Sequence, residues 1–220
     1  MLLVPACAAL VIAISSPADV SPTLVDHVFD ETNAIWNKAG VTLVRQLGDE
    51  ASGAPLAALD IVIGHQRGSI DGPNAALGWI EFDDGQPQAG LYLSYENALT
   101  LLESARGVVG LVSQMPILER ETYLGRALGR ALAHEIGHYL LAAKTHTASG
   151  LMKANFTAAE LFMPEKRQFA ISNAQGTIAR AHVDRMPLVA SARSGSSSPT
   201  SRQPASQPPA TARWPGPIPH

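Results

Sequence analysis

The chain has 220 residues, a formal charge of −3 at pH 7 and a sequence pI near 6.1. That balance excludes the basic face on which nucleic-acid binding rests, and a single cysteine, Cys7, excludes an intrachain disulfide. The length leaves room for one domain of about 190 residues with a sizeable core.

Residues 1–14 (MLLVPACAALVIAI) are apolar but too short to span a bilayer, so no stable membrane insertion is expected. No Lys or Arg precedes Lys38, so a signal peptide would lack its positive start. The alternative is a buried first strand over Ala8–Ile14. Ser21-Pro22 has the form of a helix cap and first turn. Leu24, Val25, Val28, Ile35 and Trp36 keep a helical stripe behind it, and Gly40 stops the helix. His27 falls on its surface. Val41–Arg45 and Leu59–Gly64 are predicted strands, separated by a flexible Gly48–Pro55. His65–Ala76 is a loop in which His65 and Asp71 are too few to hold a second ion. Leu77–Phe82 and Ala89–Tyr95 flank Asp83-Asp84-Gly85, the signature of a hairpin. Asn97–Gln114 is predicted helical in whole or part, up to Pro116. A long helix follows over Glu119–Ala142, then a last one from Pro164 to about Arg180 with Phe169 and Ile178 inward. From Ser191 to His220 the chain has seven prolines and no acidic residue. Such a tail cannot bury a core and is expected to be disordered, which leaves residues 1–190 as the domain.

The chemistry is concentrated in Arg130–Met152, RALAHEIGHYLLAAKTHTASGLM. Residues four apart share a helix face, so His134 and His138 can grip one zinc ion. Leu132, Ile136 and Leu140 take the same step on the other side and suit a core. Glu135 stands one residue beyond the first histidine, near enough to hold a zinc-bound water without being a ligand. With seven histidines in the chain, chance supplies roughly 0.01 HExxH motifs. The apolar surroundings add a second argument, because two buried histidines and a glutamate would otherwise lack partners. A zinc that keeps one position open needs a third protein ligand. His146 is the first candidate, and Glu160 is the rival.

These residues resemble the active site of the metzincin clan of zinc metallopeptidases, whose pattern is HExxHxxGxxH followed by a methionine turn. His134, Glu135 and His138 match it residue for residue. His146 lies two residues late, Lys144 has the spacing of the usual third histidine, and Leu141 stands in place of the glycine. Met152, in SGLM, resembles the methionine beneath the metal. The resemblance implies an α+β fold: a twisted mixed sheet of about five strands with a backing helix, the zinc helix, the methionine turn and a C-terminal helix. It also implies one catalytic Zn2+, a peptide or protein substrate, a monomer, and a secreted or periplasmic setting. In this reading Glu135 takes a proton from the zinc-bound water and passes it to the leaving amine. Lys153-Ala154-Asn155-Phe156 offers no tyrosine after the methionine, so the oxyanion stabiliser is unassigned. Two other functions fit the same helix: a non-catalytic zinc or peptide-binding module, and a zinc amidohydrolase acting on small substrates.

Overall fold

The computed structural model describes residues 8–46, 58–66 and 76–186. Cys7, Gly48–Pro55, Asp71 and the tail 191–220 lie outside the described residues.

Strands β1 (Ala8–Ser15), β2 (Val41–Arg45), β3 (Leu59–Gly64), β4 (Gly78–Asp83) and β5 (Gln86–Ser94) form one mixed sheet in the order β2-β1-β3-β5-β4. All neighbours are parallel except β4 and β5. Every second residue faces the core: Leu10 and Ile12, Val41 and Leu43, Leu59, Ile61 and Ile63, Leu91 and Leu93 are buried. Asp84 and Gly85 both adopt positive φ, 46° and 77°, as the two-residue hairpin turn between β4 and β5 requires. That turn leaves β4 as an antiparallel edge strand.

Helix α1 (Pro22–Trp36) begins at Ser21, whose side chain accepts from the Leu24 amide, and the chain turns at Gly40 with φ 78°. The sequence beyond β5 gives a shorter helix than Asn97–Gln114 suggested. Ser94 caps α2 (Tyr95–Ser104) two residues earlier, and α3 (Arg106–Val109) ends at Gly110 with φ 85°. A 3-10 turn at Val112–Gln114 then leads to Pro116. Helix α4 (Ile117–Leu141) carries the histidine motif, with Leu132, Ile136 and Leu140 fully buried.

Gly125, Gly129, Ala133 and Gly137 recur every four residues on α4 and allow close packing. A Cβ on Gly129 would meet Glu31 Cβ at 2.7 Å and the Val28 carbonyl at 2.8 Å, both on α1. Across this seam Thr32 Oγ1 donates to the Gly129 carbonyl (2.9 Å) and Trp36 Nε1 to the Ala133 carbonyl (3.1 Å). The first histidine is thus one residue from a carbonyl anchored by a buried tryptophan.

The C-terminal region departs from the expected single helix over Pro164–Arg180. It holds α5 (Ala158–Phe162), a 3-10 turn at Arg167–Phe169 and α6 (Asn173–Arg185). Ser172 and Gln175 form a capping box, which starts α6 nine residues after Pro164 and fixes its phase. Its buried residues are Gly176, Ala179 and Val183, so Ile178 is 50% exposed rather than inward. Phe169 is buried as expected. Among the described residues no helix is long and apolar enough to cross a membrane.

Candidate metal centre

The structure brings His134, His138 and His146 together, with one nitrogen of each within 4.8 Å of the others. Among the described residues no other group of three His, Cys, Asp or Glu side chains could share an ion. His138 is buried, His134 half-buried and His146 exposed.

The hydrogen bonds behind the rings fix which nitrogens converge. His134 Nδ1 lies 2.8 Å from the Leu151 carbonyl and His138 Nδ1 lies 2.6 Å from the Ala143 carbonyl. A carbonyl only accepts, so each Nδ1 carries the proton and donates it. In the neutral rings both Nε2 atoms are then bare lone pairs, and they face each other at 3.0 Å. Burial disfavours the charged imidazolium and pushes His134 down to about 4, against the opposing pull of the Leu151 carbonyl. His138 is lowered for the same first reason. Two acceptors aimed at each other in a place that resists protonation need a cation between them. A tetrahedral zinc with bonds of about 2.0–2.1 Å spaces its nitrogens about 3.3 Å apart, which this pair approaches. The residues present fit a zinc ion.

The third histidine arrives by a local turn. Helix α4 runs through Leu141 and stops at Ala142, which takes the left-handed conformation at φ 47°. The Ala142 amide returns to the Tyr139 carbonyl and the Ala143 amide to the His138 carbonyl. The stop thus falls after Leu141, and the irregular residues 143–146 carry His146 back over the helix. The His146 ring stacks on His134 at 5.3 Å and meets His138 edge-on at 5.0 Å.

Residues 147–153 form a small closed loop, clipped by the Thr147 amide on the Met152 carbonyl at 2.8 Å. This loop supplies the Leu151 carbonyl that orients His134. It also places buried Met152 against α4, where a Cβ on Gly137 would meet Met152 Sδ at 2.3 Å. Gly137→Ala is therefore expected to cost about 1–3 kcal/mol by overpacking. Chemical denaturation measures it, and an unchanged midpoint would show that the methionine loop yields freely.

Glu135 is buried between α4 and β4, with a Cβ on Gly78 only 3.4 Å from its Cγ. Burial pushes its carboxyl up to about 8, opposed by the Ile80 backbone amide. Glu160 is not among the clustered groups. It is the third residue of a capping box with Thr157 on α5, and its Oε1 binds Lys153 Nζ at 2.6 Å. Lys144 sits over the Phe82 ring of β4 at 4.8 Å. His65 is held between Glu96 and Asp19, each within 2.9 Å.

Several residues of the site carry no motif. Phe82 packs edge-on to His138 at 6.4 Å and Phe156 edge-on to His134 at 6.2 Å. Arg130, one turn before His134, is fully buried and pairs with Glu31 of α1 at 2.8 Å. Its Nη1 also donates to the Met163 and Glu160 carbonyls. The alternation of apolar residues marks Phe82 as a strand residue, but nothing local announces the Arg130–Glu31 pair, which spans 99 positions.

No family model and no curated protein matches the sequence. Among solved structures the chain is similar to the crystal structure of archaemetzincin from Methanopyrus kandleri, at 13% identity with a TM-score of 0.49. That alignment covers 83% of this chain and 100% of the other. The histidine geometry, and not this distant likeness, carries the functional assignment.

Proposed function

We propose that the chain is a zinc-dependent metallopeptidase that hydrolyses peptide bonds, with His134, His138 and His146 as ligands and Glu135 as general base. The observation that carries the reading is the pair of lone pairs facing each other at 3.0 Å, joined by a third histidine and flanked by a buried carboxyl. Zinc held by three neutral imidazoles supplies a Lewis acid for a carbonyl and brings the pKa of a water to about 7.

The remaining work falls to the chain. The Leu151 and Ala143 carbonyls hold the two helix histidines in the tautomer that leaves Nε2 free to bind. Glu135 takes a proton at its carboxylate and returns it to the leaving amine. Its burial raises its proton affinity, and a dication bound at the neighbouring histidines would lower it again, toward the range suited to a base near neutral pH. Edge strand β4 runs alongside the site, with Gly78 against Glu135 and Phe82 against His138. Its free edge suits an extended peptide that adds as a further strand. The Gly78 position has no side chain to stand between such a peptide and the carboxyl.

Incubation of zinc-loaded protein with casein, in the presence and absence of a hydroxamate, tests the reading. Hydroxamate-sensitive cleavage is the expected result. Zinc binding without cleavage of casein or of a peptide library would replace it with a non-catalytic binding module, and cleavage of small amides alone with an amidohydrolase.

A further inference from the structure

Two lysines stand beside the three histidines, each over a phenylalanine that packs edge-on to a helix histidine. Lys153 lies over Phe156 at 4.7 Å, and Phe156 contacts His134. Lys144 lies over Phe82 at 4.8 Å, and Phe82 contacts His138. The two differ in their charge partners. Lys153 is neutralised by Glu160 at 2.6 Å. Lys144 has no carboxylate within 4.0 Å among the described residues.

Lys144 owes its place to the turn that delivers His146. It lies in residues 143–146, the segment that returns from the Ala142 turn to deliver His146. Its ammonium lies over the Phe82 ring, which holds the charge against β4. The β4–β5 register puts Trp79 against Tyr92, on the sheet face away from the helix, where the two rings stack at 4.4 Å. Phe82 instead turns toward His138, so the ammonium over it shares the metal side of the strand. A peptide paired to β4, with its scissile carbonyl at the three nitrogens, therefore brings a neighbouring group alongside Lys144.

We propose that Lys144 determines specificity, recognising a carboxylate on the substrate close to the scissile bond. The inference rests on the peptidase reading of the site. The carboxylate comes either from an Asp or Glu side chain or from the C-terminus of a short substrate. The chemistry is the same in both cases, a charge-assisted hydrogen bond from an exposed ammonium.

The test uses fluorescently labelled peptides of about eight residues in an Ala/Gly background, with Glu or Gln at each position in turn. Each is made with an amidated and a free C-terminus. Anisotropy with the zinc-free full chain gives a binding readout that needs no turnover, and cleavage by the zinc-loaded protein is mapped in parallel. Wild type is expected to bind the best Glu peptide about tenfold more tightly than its Gln twin. Lys144→Ala removes the difference, Lys144→Arg keeps it and Lys144→Glu reverses it in favour of the Gln twin. Lys144 is exposed, so matching melting curves are expected to show the variants folded. Preference that follows the Glu position in amidated peptides assigns the carboxylate to a side chain. Preference that vanishes on amidation assigns it to the chain end. Equal binding of Glu and Gln peptides by wild type, or a preference that survives Lys144→Ala, overturns the proposal. Cleavage without acidic preference leaves the peptidase reading intact while removing the inference. Acidic preference in binding with no cleavage of any peptide does the reverse.

Discussion

Glu135→Gln is expected to lower peptide hydrolysis by about 10²–10⁴-fold while leaving zinc content unchanged. The same substitution is expected to make the metal-free protein more stable. Glu135 is 8% exposed, and burial raises its carboxyl from the ordinary 4.5 to about 8. Between those values the folded chain binds a proton that the unfolded chain has released, so stability falls as pH rises through that window. Each pH step costs about 1.4 kcal/mol, which reaches about 3 kcal/mol at pH 7. Glutamine keeps the shape and does not titrate, so the gain should grow from nothing near pH 4 to that size at pH 7. Burial holds His134 and His138 down, which weakens the fold toward acid, but this happens in both proteins and cancels in the difference. Urea unfolding of both metal-free proteins at pH 4.5 and 7 measures the gain. A gain of the same size at both pH values would show that the carboxyl is solvated rather than buried.

The second large effect lies behind the site. Glu31→Ala is expected to destabilise the protein by about 3–5 kcal/mol, because it strips a buried guanidinium of its counter-charge. Arg130 has no exposed side-chain surface and binds Glu31 Oε1, while Lys166 binds Oε2 at 2.7 Å. Without Glu31 the arginine keeps the Glu160 and Met163 carbonyls as acceptors and the Phe169 ring at 4.8 Å, and its Nη2 has no hydrogen-bond partner among the described residues. Lys166 is 29% exposed and can turn to water, but Arg130 cannot. A domain of this size has about 5–15 kcal/mol in total, so the variant should be near the edge of folding. Arg130→Met is expected to cost less, since Glu31 retains Lys166. Equal, small losses of under about 1 kcal/mol in both variants would mean that the pair is hydrated.

What could be read from the sequence follows from how local its causes are. The strands at Val41–Arg45 and Leu59–Gly64, the Asp84-Gly85 turn and the Ser21-Pro22 helix start each depend on a few adjacent residues. The face shared by His134 and His138 is fixed by helical geometry alone. His146 and Glu160 could not be separated that way, because the answer lies in a non-glycine left-handed turn at Ala142 and a capping box at Thr157. Alanine does not demand a left-handed turn, whereas Thr157-Ala158-Ala159-Glu160 is itself a capping-box signature. The phase of α6 was missed for a related reason: the Ser172–Gln175 cap, and not the apolar Ile178, decides which side faces inward. The Arg130–Glu31 pair and the carbonyls behind the histidines depend on contacts between distant segments, which no spacing rule reaches.

The most direct test of the three-histidine site is zinc stoichiometry and affinity in wild type and in His146→Ala, by elemental mass spectrometry and competition with a chelating dye. One zinc per wild-type chain is predicted, with affinity lowered more than about a hundredfold in the variant, beyond what loss of an orienting partner costs. Zinc bound equally well without His146 would contradict the three-histidine site. A wild-type chain that takes up no zinc would contradict the metal centre altogether.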